Sequence, residues 1–143
     1  MTHETGRKVE LVNLIKYGEF VNQVCSADSK EFEAFMTRLR DLNKQDFNVP
    51  QLMTASMGLS SESGEFNEIV KKTFFHGEEM TDDKRYHMQR ELGDIIWYWL
   101  LANLAMGFDP NETVAMNVEK LKKRYPGGEF SVFFSANRQE GDI

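Results

Sequence analysis

Apolar positions in this chain recur mostly at three- and four-residue intervals, the spacing of one helix face rather than the alternation of a strand. Phe32, Phe35, Met36, Leu39 and Leu42 fall at i, i+3, i+4, i+7 and i+10, which predicts an amphipathic helix over Lys30–Asn43. Asn48-Val49-Pro50 reads as the start of a long helix, since proline is tolerated in a first turn. That helix is expected from about Pro50 to His76, with Gly77 as its stop. A second long helix is expected over Asp82–Met106, closed by Gly107, with Leu92, Ile95, Ile96, Trp99 and Leu100 as its core stripe. Asp109-Pro110-Asn111-Glu112 combines a cap, a first-position proline and a first-turn acid, so a third begins near Asn111. It ends at Arg124, before Tyr125-Pro126-Gly127-Gly128.

The flanks are less regular. Arg7–Val24 also reads as helical, and Phe130–Phe134 is the one segment that admits a short strand. The predicted class is all-α, a bundle of four to five helices. One domain is expected over residues 1–143. Its core spans about 30–126, between a helical extension at 1–29 and a tail at 127–143.

Composition narrows the function classes. The chain is 41% hydrophobic and 28% charged, ordinary for a soluble globular domain. A net charge of −6 disfavours a nucleic-acid surface, which would usually present a basic face. It leaves open a phosphate-bearing substrate held through a metal ion. No apolar run suits a membrane span, and Met1–Glu10 is too polar for a secretory signal. With a single cysteine, Cys25, and so no internal disulfide, these features point to the cytoplasm.

The candidate chemistry lies in two acid pairs. Glu62 and Glu65 are three apart in Ser60-Ser61-Glu62-Ser63-Gly64-Glu65, and Glu91 and Asp94 repeat that spacing in Glu91-Leu92-Gly93-Asp94. Each pair therefore shares a helix face. Two long helices joined by a short loop pack antiparallel, which lets the pairs meet. Four facing carboxylates would repel, so a cation is expected between them. Hard oxygen donors without clustered Cys or His suit Mg2+, with Mn2+ as a substitute. Such a site suits activation of a water and stabilisation of charge on phosphorus. A di-iron bundle would need Glu-x-x-His, but Thr73 and Lys84 stand three before His76 and His87. Gly64 and Gly93 each sit inside a pair, where glycine would permit close helix approach or leave room for a ligand.

Taken together, Met57-Gly58-Leu59-Ser60-Ser61-Glu62-Ser63-Gly64-Glu65, Lys71-Lys72, Glu91-Leu92-Gly93-Asp94 with Tyr98, Asn117-x-x-Lys120 and Lys123-Arg124-Tyr125-Pro126 resemble the MazG-like all-α nucleoside triphosphate pyrophosphohydrolases. The resemblance covers about Pro50–Arg138. The compact chain and its Phe130-Ser131 to Asn137-Arg138 tail look like bacteriophage-encoded members, whose location would be the host cytoplasm. It implies a helical fold with the active site between two antiparallel helices. Glu62, Glu65, Glu91 and Asp94 would hold Mg2+, and Glu62 or Glu65 would help deprotonate the attacking water. Tyr98, Asn117, Lys120, Arg124 and Lys71 would bind substrate. The implied reaction cleaves a (d)NTP between its α and β phosphates to give a monophosphate and pyrophosphate. A dNTP is the expected substrate, dGTP first, with dCTP and dUTP behind it. Upstream of residue 47 no motif matches, and the base is unread.

Trp97 projects about 200° from Trp99 around their helix, and Phe74-Phe75 adds further apolar surface. A homodimer or homotetramer is therefore expected, as the resemblance also implies. The competing function is a non-catalytic helical module that binds a nucleotide or partner and keeps the acids for metal.

Overall fold

A computed structural model describes residues 12–137. Among them every regular element is a helix, and there are seven rather than four to five. The chain divides into two compact units that part between Lys44 and Gln45.

The first unit holds α1 (Leu14–Val24), α2 (Ala27–Lys30) and α3 (Phe32–Leu42). The helix expected from Arg7 starts instead at Leu14, and positions 7–11 lie outside the described residues. The reason is Asn13, whose side-chain Oδ1 accepts from the backbone N–H of Ile15 and Lys16 at 3.0 and 3.2 Å and so fixes the start. Extended backbone at Glu31 splits the segment expected as one helix from Lys30, leaving α2 as a single turn ahead of α3. Lys30 Nζ donates to Asn22 O at 2.9 Å and ties α2 back to α1. Phe35, Met36, Leu39 and Leu42 are half-buried along α3 as its periodicity requires, while Phe32 is exposed.

The second unit is built on α4 (Val49–Phe75) and α5 (Asp82–Met106), followed by α6 (Pro110–Arg124) and α7 (Val132–Ala136). These boundaries follow local chemistry. The Asn48 side chain accepts from Gln51 N at 3.1 Å, Thr81 Oγ1 from Lys84 N at 3.3 Å, and Asp109 Oδ1 from Asn111 N at 2.7 Å. Gly107 closes α5 with φ 68°, a left-handed turn that glycine adopts without a Cβ penalty. The strand expected at Phe130–Phe134 is not formed. Ser131 caps Phe134 N, and Val132–Ala136 turns as a short helix with Phe130, Val132 and Phe133 exposed.

α4 and α5 form an antiparallel hairpin. The N–H of Asn48, ahead of α4, donates to Ala105 O near the end of α5 at 2.7 Å. The core of the unit runs along this seam through Val49, Ala55, Gly58 and Ala105. The core stripe expected for α5 is only half right. Ile95 and Trp99 are half-buried, but Leu92, Ile96 and Leu100 are 53%, 55% and 40% exposed. The turns of α5 place Glu91, Ile95 and Tyr98 toward one side and Leu92, Ile96, Leu100 and Leu104 toward the other, and these four are exposed among the described residues.

Candidate metal centre on the helical hairpin

The close approach of the two long helices is set by Gly58 rather than by the glycines inside the acid pairs. Gly58 is buried, and a Cβ there would overlap the Tyr98 ring carbons Cδ1, Cε1 and Cζ. The ring lies flat against the backbone that glycine leaves bare. Gly64 and Gly93 face open space, with nothing within 4 Å of an added Cβ, so neither supports close packing. Gly58 stands in the quoted motif, but the sequence alone does not show that its neighbour is an aromatic from α5.

One turn beyond Gly58, three of the four acids come together. Oxygen atoms of Glu62, Glu65 and Glu91 all lie within 4.8 Å of one another. Glu62 and Glu91 are half-buried and Glu65 is exposed, so the group opens to solvent on one side. The carboxyl of Glu62 is held above its ordinary pKa. Partial burial is the first cause; the neighbouring charge of Glu65, a hydrogen bond with Glu91, and the charges of Glu91 and Asp94 add to it. Asp94 is exposed and stands outside the close group of three, although its charge reaches Glu62.

The donor set fits a hard divalent cation. It offers carboxylate oxygens alone, from two helices, and the neighbouring acids disfavour the ionised form of Glu62. Glu68, on the next turn of α4, does not join the group. It pairs with Lys71 and with Lys72 Nζ at 3.5 Å, and these two cations hold its carboxyl below the usual range. Lys71, expected at the substrate, is therefore engaged with Glu68 in an exposed pairing, of a kind that contributes little stability.

The remaining candidates lie on α5 and α6. Tyr98 is half-buried in the hairpin, seven residues and two turns beyond Glu91 on the same side of α5, with its ring edge-on to Trp97 at 4.8 Å. Asn117 and Lys120 are exposed on α6, and among the described residues their side chains make no hydrogen bond or ion pair. Arg124 is half-buried at the end of that helix. Asn117, Lys120 and Arg124 share one face of α6, which is what groups them as candidates. Asn103 and Thr113 gave no signal in the sequence, yet they join α5 to α6 through a hydrogen bond of 2.7 Å.

Among the described residues no helix is long and apolar enough to cross a membrane. The family model described as MazG nucleotide pyrophosphohydrolase domain matches residues 51–128, more than half of the chain and wholly within the second unit. No curated protein and no solved structure shows significant similarity to the chain.

Proposed function

We propose that this chain, which belongs to the MazG nucleotide pyrophosphohydrolase family, is a Mg2+-dependent hydrolase that cleaves a dNTP between its α and β phosphates. The observation that carries this reading is the gathering of Glu62, Glu65 and Glu91 from two helices within 4.8 Å. Asp94, exposed beside them on α5, would be the fourth ligand. A divalent cation bound there supplies Lewis-acid stabilisation of charge on the phosphate oxygens and a lowered water pKa.

The chain's own residues do the rest. Glu62 or Glu65 takes the proton from the attacking water, whose oxygen forms the new bond to the α-phosphorus. The bond from that phosphorus to the bridging oxygen breaks, and pyrophosphate leaves with the electron pair. Lys120 and Arg124, four apart on α6, bind phosphate oxygens, with Asn117 one turn earlier on phosphate or sugar. Lys71 exchanges Glu68 for phosphate, and Tyr98 flanks the sugar or base. Turnover of each of the eight common NTPs and dNTPs with Mg2+, followed by product separation, tests the reading. Monophosphate plus pyrophosphate, fastest with dGTP, is expected. Release of single phosphate would mean a different bond is cut, and absence of turnover with all eight would favour a non-catalytic binding module.

The uncovered stripe of α5, with Trp97 56% exposed and Phe74 and Phe75 exposed near the end of α4, supports a homodimer or a homotetramer. Light scattering during size-exclusion chromatography is expected to give at least twice the chain mass of 16.6 kDa. A mass equal to one chain at working concentration would contradict this. The cytoplasm, or a host cytoplasm for a phage product, is the proposed location.

A further inference from the structure

α6 buries no residue of its own, so something must hold its tilt. Asn103 is the one buried polar side chain among the described residues, at 4% exposure. Its amide Nδ2 donates to Trp99 O at 2.8 Å, which fixes the amide plane on α5. Its Oδ1 accepts from Thr113 Oγ1 on α6 at 2.7 Å. The same hydroxyl also lies 3.1 Å from Asp109 O at the cap of α6, and its one proton goes to the nearer acceptor, Asn103 Oδ1. A buried amide with both ends engaged is a rigid anchor, because either partner's loss leaves an unsatisfied polar atom.

The face of α6 that carries this anchor also carries the proposed phosphate ligands. Asn117, Lys120 and Arg124 follow Thr113 by four, seven and eleven residues, all within about 40° of it around the helix. Lys120 lies about 10 Å along the axis from Thr113, so a tilt of about 10° at the anchor shifts it by about 2 Å. Misplacements of that size matter to a positioned cation.

We propose that Asn103 and Thr113 are a positioning pair that sets the tilt of α6 and through it the grip of Lys120 and Arg124 on the triphosphate. The proposal rests on the reading of α6 as the phosphate-binding helix. Thr113→Val keeps the shape and removes the hydroxyl. It is expected to raise KM for the best dNTP about tenfold with a smaller change in kcat, and Thr113→Ser is expected to restore the wild-type value. Affinity for Mn2+ alone, which reports the carboxylates, stays unchanged. In a Lys120→Ala background, Thr113→Val adds less to KM than it does alone, because one of the two cations it positions is gone. Should Thr113→Val fail to fold, Thr113→Ala serves in its place with the same expectations. A wild-type KM in the valine and alanine variants, an effect that simply multiplies with that of Lys120→Ala, or weakened Mn2+ binding would overturn the pair. A wild-type KM in Lys120→Ala itself would instead overturn the reading of α6 on which the pair rests.

Discussion

Replacing Glu62 by glutamine is expected to lower kcat/KM by about 10²–10⁴-fold while raising the melting temperature of the metal-free protein. The two effects have one origin. Glu62 sits half-buried among Glu65, Glu91 and Asp94, and each of them disfavours its ionised form. In the metal-free fold that charge is a liability, whereas with the proposed cation bound it would be a ligand. Glutamine keeps the shape and removes the charge, so the fold gains and the chemistry loses.

The sign of the pH dependence follows from linkage. The folded-state pKa of Glu62 is raised above its unfolded value. Its relative contribution to stability is therefore fully present below the unfolded pKa and lost as pH rises through the folded one. Glu68 and Glu78 run the other way. Lysine partners lower their pKa values, so their contributions are present above the unfolded pKa and lost as pH falls through the lowered values. The clean observable is the difference in melting temperature between E62Q and wild type without metal. It should be near zero at pH 3 and grow in favour of the variant as pH rises past the ordinary glutamate range. Addition of Mg2+ at neutral pH should reverse its sign, because a ligand that binds the folded wild type stabilises it by mass action. A variant that is less stable than wild type at neutral pH without metal would show that Glu62 is not in the repulsive setting described.

Gly58→Ala is expected to destabilise the fold by about 1–2 kcal/mol, although alanine is the better helix former. Overpacking costs about 1–3 kcal/mol, and so close an overlap with a ring falls in the upper part of that range, so the intrinsic helix gain of about 1 kcal/mol offsets only part of it. The new methyl would occupy space held by Tyr98 Cδ1, Cε1 and Cζ, and a ring wedged between two helices can yield only by turning out or by parting them. Gly58 lies one turn before Glu62, and Tyr98 two turns after Glu91, so parting the helices there also spreads the carboxylates. A loss of about 10–100-fold in kcat/KM should accompany a fall in melting temperature of several degrees. Thermal melts of a double-mutant cycle with Tyr98→Ala isolate the contact. In that background Gly58→Ala should be neutral or stabilising. A destabilisation of equal size with the ring removed would place the cost elsewhere than in this contact.

The long helices were legible because their ends are written in local chemistry. Asn48 with Pro50, Thr81, Gly107, and Asp109 with Pro110 need only neighbours in sequence to act, and the observed boundaries fall on them. The acid pairs were legible for the same reason, since a spacing of three puts both carboxylates on one face before any packing is known. What failed depended on partners far along the chain. The α5 stripe was expected to be buried from its hydrophobicity alone, yet Leu92, Ile96 and Leu100 lie away from α4. Gly64 and Gly93 were read as permitting close approach or leaving room for a ligand; the open space beside them removes the first alternative, and the contact falls at Gly58, where Tyr98 arrives from the other helix. Phe130–Phe134 suggested a strand by its aromatic content, but the cap at Ser131 outweighed it. Asn103 and Thr113 carried no signal, since an isolated Asn near a helix end and a Thr in a first turn are ordinary until the two meet. Arg138 and the polar end of the tail lie outside the described residues.

The central claim is attack of water on the α-phosphorus at the site of Glu62, Glu65 and Glu91, and its most direct test is hydrolysis of dGTP with Mg2+ in H2¹⁸O. Mass spectrometry of the products is expected to find one ¹⁸O in the monophosphate and none in the pyrophosphate. Label in the pyrophosphate, or label in inorganic phosphate beside a diphosphate, would contradict the account.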